Sequence, residues 1–262
     1  YKVDVKGEGA SAFGYGATAN KAESNAFGCD AGADGIGSNA IGTWSCAEAD
    51  YSNAFGLGAY AGEKNSTAIG SFAEASGVNS LAIGNGNVTS KSPVSGGPGL
   101  VFDWDSQPVA SGDYAIAMGT NTKASAENSL AFGKDAKAAG KNSIAFGTEA
   151  NASKDYAKAF GYKSEASGEY TNAIGDYAKA SAENSNAIGY HAEASAEKSN
   201  AIGVNAKASE LNANAIGNGA KAIGEYTNAF GLDAEASGKK SNAIGSDAKA
   251  IGEISNAIGN FA

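Results

Sequence analysis

Along most of the chain an alanine, one large apolar residue and a glycine recur at every fourteenth position. The large residues are Phe13, Phe27, Ile41, Phe55, Ile69 and Ile83. After a gap of 35 they resume as Met118, Phe132, Phe146, Phe160, Ile174, Ile188, Ile202, Ile216, Phe230, Ile244 and Ile258. That makes 17 copies, each with the Ala before it and the Gly after it, and the gap is one period plus an insertion half as long again as a period. Periodicity of this kind marks a stack of units, each burying its face only against its neighbours.

With the large residue as position 0, Ser or Thr usually occupies −3, Ala or Ser occupies +4, and Ala occupies +6. Each period has room for two short strands and two turns, and strand alternation then assigns the faces. Positions −3, −1 and +1 share one face of the first strand, and +4, +6 and +8 share one face of the second. These small-residue faces oppose each other across a lumen too narrow for Leu or Phe. At the inter-strand spacing of ~4.8 Å, the coils stack into a rod of roughly 80 Å. The expected fold is all-β, a parallel β-roll (solenoid) of about 17 coils with a 14-residue repeat. It forms one domain over 1–262, with repeats over 11–91 and 113–262 and an inserted loop or hairpin over 92–112. Helix is the competing reading of an Ala-rich chain; a Gly in every period and two-residue alternation oppose it.

The outward positions differ between the two strands. On the second, +5 carries Glu165, Lys179, Glu193, Lys207, Lys221, Glu235 and Lys249 in succession, so that five of six neighbouring rungs pair opposite charges. This reads as a solvated ladder that fixes register, with a ligand-binding stripe as the alternative. On the first strand the position-0 residues form one apolar column. Soluble monomers seldom expose a contiguous apolar patch above a few hundred Å². The column must therefore be covered, and nothing else in the chain is long enough, so the cover is other copies of the chain. Beside it, position −2 is apolar at Leu81, Ile116, Leu130 and Ile144 but Asn at 25, 39 and 53 and at every coil from Asn172 to Asn256. Amides at an interface must be hydrogen-bonded. An Asn ladder along the stack, or bound water, is expected to do this.

Composition fits the small lumen. Ala occurs 56 times and Gly 37 times, while Leu, Ile, Val and Phe together occur only 39 times in the whole chain. That is under the roughly 20% at which a highly charged chain is read as disordered, but the net charge is only −9. There is one His and no Arg, which argues against a His-ligated metal site and against bidentate phosphate or base recognition. A pI near 4.7 opposes binding to nucleic acid or to an anionic membrane surface. No run approaches the ~20 apolar residues of a membrane helix, so no direct membrane insertion and no cofactor are expected.

The segments Asn79-Ser80-Leu81-Ala82-Ile83-Gly84, Asn128-Ser129-Leu130-Ala131-Phe132-Gly133 and Asn142-Ser143-Ile144-Ala145-Phe146-Gly147 resemble the NSVAIG head repeat of YadA-like trimeric autotransporter adhesins. The 14-residue period and the Ala-x-Ala of the second strand agree with that family. The common Asn at −2, where the family motif has Val, departs from it. The resemblance implies a left-handed β-roll and a homotrimer with position-0 residues turned to the axis. Ile69, Ile83, Met118, Phe132, Phe146, Ile174, Ile188, Ile202 and Ile216 would then form the trimer core. It also implies display on the surface of a Gram-negative outer membrane, with stalk and anchor outside this chain.

The insertion carries Phe102, Asp103, Trp104 and Asp105, a Trp among carboxylates that suits a sugar or peptide. Packing of these residues against the roll or a neighbouring chain is the alternative. Gly96–Val101 resembles a calcium-binding nonapeptide, but Val101 stands at the Asp position and no second copy exists. Cys29 and Cys46, at +2 and +5 of adjacent coils, are a candidate disulfide. Tyr51, Tyr114, Tyr156, Tyr170 and Tyr226 share the second turn, and His191 lies at the first turn, where solvent is expected to surround it. The function expected is non-enzymatic: attachment to a host cell-surface or matrix protein or glycan, or to other bacteria, by multivalent contacts. A structural spacer or fibre module without a ligand is the alternative. An enzyme is disfavoured because solenoid acyltransferases use six-residue periods and a His base, and no GxGxxG, P-loop or GxSxG is present.

Overall fold

A computed structural model of the chain describes residues 2–86, 88–89, 101–102 and 106–262. They form an all-β parallel solenoid of about 17 turns, with no helix among the described residues. Two compact units can be delimited, Tyr1–Ala136 and Lys137–Ala262. Each is built from the same coil. In the second, a three-residue strand such as Asn186–Ile188 is followed by a two-residue strand such as Glu193–Ala194. Each strand pairs in parallel with its counterpart in the next coil, Asn186 with Asn200 and Ile188 with Ile202. In the first unit, Asn25–Phe27 pairs with Asn39–Ile41 in the same way.

The lumen is filled as the small-residue pattern requires. Ala at −1, +4 and +6 is fully buried, for example Ala173, Ala178 and Ala180. The Ser or Thr at −3 is mostly buried too, and in most coils its hydroxyl donates to the carbonyl three residues earlier, as Ser185 does to Ala182 at 2.6 Å and Thr171 to Gly168 at 2.7 Å; Ser241 donates instead to Ala250. A buried hydroxyl left without a partner would cost about 1–3 kcal/mol. This local bond lets Ser substitute for Ala in the buried lumen.

Two backbone conformations turn the chain. Positions +3 and +10, half a period apart, are left-handed in coil after coil, as at Tyr177 (φ 59°) and Asn184 (φ 57°). The Gly at +1 is the stricter point. Gly189 has φ +133°, and a Cβ there would lie 2.4 Å from the carbonyl oxygen of Gly203 in the next coil. That φ is accessible to little but glycine, and the coil spacing leaves no room for a methyl group.

The insertion leaves the roll earlier than the sequence suggests. Val88 and Thr89 stand at +5 and +6 by count, but Val109–Ala110 takes the second-strand place, pairing with Glu74–Ala75 on one side and Lys123–Ala124 on the other. Val88–Thr89 instead pairs antiparallel with Val101–Phe102. The extra residues thus fall between Gly86 (+3) and Pro108 (+4), over 87–107 rather than over 92–112. The reason is local: Val88-Thr89 and Val109-Ala110 both suit a strand, but only the second offers Ala for the lumen at +6, and Ala110 is fully buried. The roll closes cleanly around the excursion, with Ile83 in register with Met118.

Gly189→Ala is expected to lower stability by at least ~1–3 kcal/mol from backbone strain alone, with the contact to Gly203 adding to it. Ala187→Ser, a lumen change of similar size, should cost less. Urea unfolding followed by circular dichroism measures both.

Candidate binding surfaces

The position-0 column lies open on the single chain. Ile69, Phe146, Ile174, Ile188, Ile202 and Ile216 are exposed by about two-fifths or more of their surface, and Ile83, Met118 and Phe132 are half-buried. Within the second unit, nine of these residues run from Phe146 to Ile258 at one per coil, a stripe of roughly 40 Å at the inter-strand spacing.

Alongside it the asparagines at −2 form a hydrogen-bonded ladder. The Asn172 side-chain amide donates to Asn186 Oδ1 at 2.6 Å, Asn186 to Asn200 at 2.8 Å and Asn200 to Asn214 at 2.7 Å. The chain continues through Asn228 and Asn242 to Asn256. A shorter run joins Asn25, Asn39 and Asn53 at 3.0 and 2.9 Å. Each inner amide uses one N–H and its oxygen along the stack. On the opposite strand the +5 charges adjoin in register, and Lys207 Nζ reaches Glu193 Oε2 at 3.1 Å.

The first turn of the second unit holds a cluster that the repeat pattern does not announce. Tyr177 and His191, both at +3, stack face to face with ring centres 4.7 Å apart and planes 1° from parallel. Tyr162 and Tyr190, both at +2, stand edge-on to Tyr177 at 84° and 85°. Asp176 lies between them at +2, and its carboxylate accepts the backbone N–H of Tyr162 at 2.8 Å. Lys163 Nζ sits over the Tyr162 ring, 5.1 Å from its centre, and pairs with Glu149 at 3.5 Å. The Tyr162 hydroxyl and then the Glu149 carboxylate hold the Lys163 ammonium above its ordinary pKa. Desolvation, and after it the neighbouring Tyr162 hydroxyl, pushes Tyr177 upward, so it stays a neutral phenol at physiological pH. Next to the rings is an open depression of about 350 Å³ between Tyr177, Lys163, Glu165 and Lys179. His191 is exposed, as expected, but it is a ring partner and not simply solvated. On the second turn, Tyr156 and Tyr170 stack at 4.8 Å.

Of the proposed insertion residues, Asp103, Trp104 and Asp105 lie outside the described residues, as does the side chain of Phe102. The base of the excursion is described. Pro108 is fully buried, Gln107 Nε2 donates to Glu74 Oε2 at 3.0 Å, and the Asn121 N–H reaches the Ser106 carbonyl at 2.6 Å.

Residues 6–28, 61–87, 110–136, 138–164, 157–178, 166–192 and 194–220 match the family model of the YadA head domain repeat, together more than half of the chain. The chain belongs to the YadA head family. Among solved structures it is similar to the collagen-binding domain of the Yersinia adhesin YadA, at 22% identity over 86% of this chain and 68% of that one, with a TM-score of 0.22. No curated protein matches the chain significantly.

In this YadA head the two cysteines are free thiols, and the candidate disulfide between Cys29 and Cys46 is not formed. Cys46 is in register with Gly32 and Tyr60 on the second strand, whereas Cys29 is at the turn just before Gly32. Each thiol faces an acid instead: Cys29 Sγ lies 3.5 Å from Asp30, and Cys46 Sγ lies 3.8 Å from Glu48, which also accepts the Tyr60 hydroxyl at 2.9 Å. Burial first, then Glu48 and Asp34, pushes the Cys46 thiol up to about 11.

Asn200→Ala breaks two rungs of the ladder and should cost about 1–2 kcal/mol, read from urea unfolding. Because a raised pKa keeps the thiol protonated, Cys46 should be slow to react with iodoacetamide at mildly alkaline pH and speed up as the pH rises toward about 11; Glu48→Gln should accelerate it. Mass spectrometry should count two alkylated cysteines after denaturation; a product two hydrogens lighter and unalkylated contradicts the free-thiol assignment.

Proposed function

We propose that this chain is the head of a surface-displayed adhesin, and that it attaches a Gram-negative bacterium to host cells, extracellular matrix or other bacteria. Membership of the YadA head family supports an adhesin-type role. The observation that carries the finer reading is the exposed position-0 column beside the Asn ladder. A hydrogen-bonded row of amides next to a row of half-exposed Ile and Phe is a poor surface for a lone chain and a good one for a closed, symmetric assembly. The proposed assembly is a homotrimer with one column from each chain turned to the axis. Each outward feature is then presented three times on a rigid frame, and weak contacts combine through effective concentration. The role proposed is non-enzymatic, in keeping with membership of an adhesin head family.

Light scattering on the purified chain is expected to give three times the 25.9 kDa chain mass, and a monomer would overturn the assembly. Adhesion is checked on immobilised matrix proteins and on cells, with the intact head and with a form lacking residues 87–107, a deletion that restores the 14-residue period. Binding by the intact head supports the reading, and its loss on deletion places the contact in the excursion. Failure of the trimer to bind any of them favours a spacer.

A further inference from the structure

We propose that the aromatic cluster around Tyr177 and His191 is a carbohydrate site that takes a neutral pyranose unit; this rests on the adhesin reading and names one of its ligand classes. The cluster lies at +2 and +3, and its depression runs toward +5 on the second strand. That is the face turned away from the position-0 column, so covering the column with other copies leaves the depression open.

A pyranose ring has an apolar C–H face and a rim of hydroxyls that both donate and accept. The chain offers the complement of each. Tyr177, backed by His191 at 4.7 Å, supplies a flat face, held upright by the edge-on rings of Tyr162 and Tyr190. Around the depression, the carboxylates of Glu149 and Glu165 accept and the ammoniums of Lys163 and Lys179 donate. Its volume of about 350 Å³ is at the small end of the roughly 300–1,000 Å³ typical of small-molecule sites. The charges also argue against other guests. A cation would meet two ammoniums, one of them already over the Tyr162 ring. An anion would meet two carboxylates. An apolar peptide side chain would find one ring face in an otherwise polar wall.

The fold itself does not call for these rings. The same turn positions are filled by Asn121 and Asn205 at +3 and by Thr120 and Val204 at +2, and Asn is more at ease than Tyr in the left-handed conformation that +3 requires. Three tyrosines and the single histidine of the chain instead gather on neighbouring turns. One such site binds weakly, and repetition in the assembled head raises avidity.

The test is an array of neutral hexosides and N-acetylhexosaminides with sialylated and sulfated glycans beside them, probed with the intact protein and with Tyr177→Asn/Tyr190→Val. Both substitutions copy residues found at those positions elsewhere in the chain, so the variant should keep its β circular dichroism. The intact protein is expected to bind neutral glycans, and the variant to lose at least tenfold in signal. No neutral glycan bound, binding confined to the charged glycans, or equal binding by a folded variant each overturns the proposal. If the variant does not fold, isotope-labelled His191, the sole imidazole, reports in the intact protein: its resonances should shift on titration with the bound sugar's methyl glycoside, and unmoved resonances overturn the assignment. Adhesion to cells and matrix proteins is measured in parallel; adhesion retained without glycan binding removes this site and leaves the adhesin reading standing.

Discussion

Everything in this molecule depends on how closely one coil's backbone rests on the next. At the +1 glycines, successive carbonyls and Cα atoms stack with no space for a Cβ. That contact fixes the coil spacing, and the coil spacing with a 14-residue circumference fixes a lumen of one alanine width. Once the lumen is that narrow, its residues are almost all Ala, Ser, Thr or Gly, with Pro108 at +4 the exception among the described residues. Most of the hydroxyls among them bond to the turn they belong to, as Ser185 and Thr171 do, while Ser241 reaches the Ala250 carbonyl on the second strand at 3.1 Å. The composition is the result of this single steric requirement.

A core made of alanines buries little apolar surface per residue, so the roll relies on repetition: each coil adds a full set of parallel backbone hydrogen bonds and a further rung to every outward column. The columns divide the work. The Ile and Phe column gathers the large apolar side chains the lumen excludes. The Asn ladder beside it gives a directional, residue-by-residue link that would be lost by a slip of one position, since a one-residue slip carries every side chain to the other face. Where −2 is Leu or Ile, apolar contact alone fills the position; where it is Asn, hydrogen bonds specify the register as well.

What the sequence revealed is what repeats. Period, strand pairing, the lumen faces, the exposed column and the amide ladder all rest on positions that recur, so one coil explains the rest. Features that occur once were harder to place. The excursion was offset because Val88-Thr89 and Val109-Ala110 compete for the same strand, and only the lumen's need for Ala at +6 decides between them. The aromatic cluster escaped because its rings come from two columns, +2 and +3, of successive turns. Neither column is aromatic throughout, and stacking across them depends on where left-handed turns aim their side chains. The cysteines looked bridgeable by counting rungs, but each thiol lies against an acid of its own coil, Cys29 against Asp30 and Cys46 against Glu48.

That division bears on how a repeat of this regularity acquires specificity. The lumen and the +1 glycines cannot vary without loss of the stack, and the outward strand positions carry the amide and charge ladders and the apolar column. The turns at +2 and +3 are the freest positions, since Asn, Asp, Gly, Lys, Tyr, Trp and His all occur there on the same backbone. Because neighbouring coils place their turns one above another at a fixed spacing of ~4.8 Å, any two compatible side chains on adjacent turns meet in a defined geometry without further scaffolding. The near-perfect parallel stack of Tyr177 on His191 is an instance. A regular roll can thus gain a recognition patch by exchanging a few turn residues, and the rigidity that makes the sequence monotonous is what preorganises that patch.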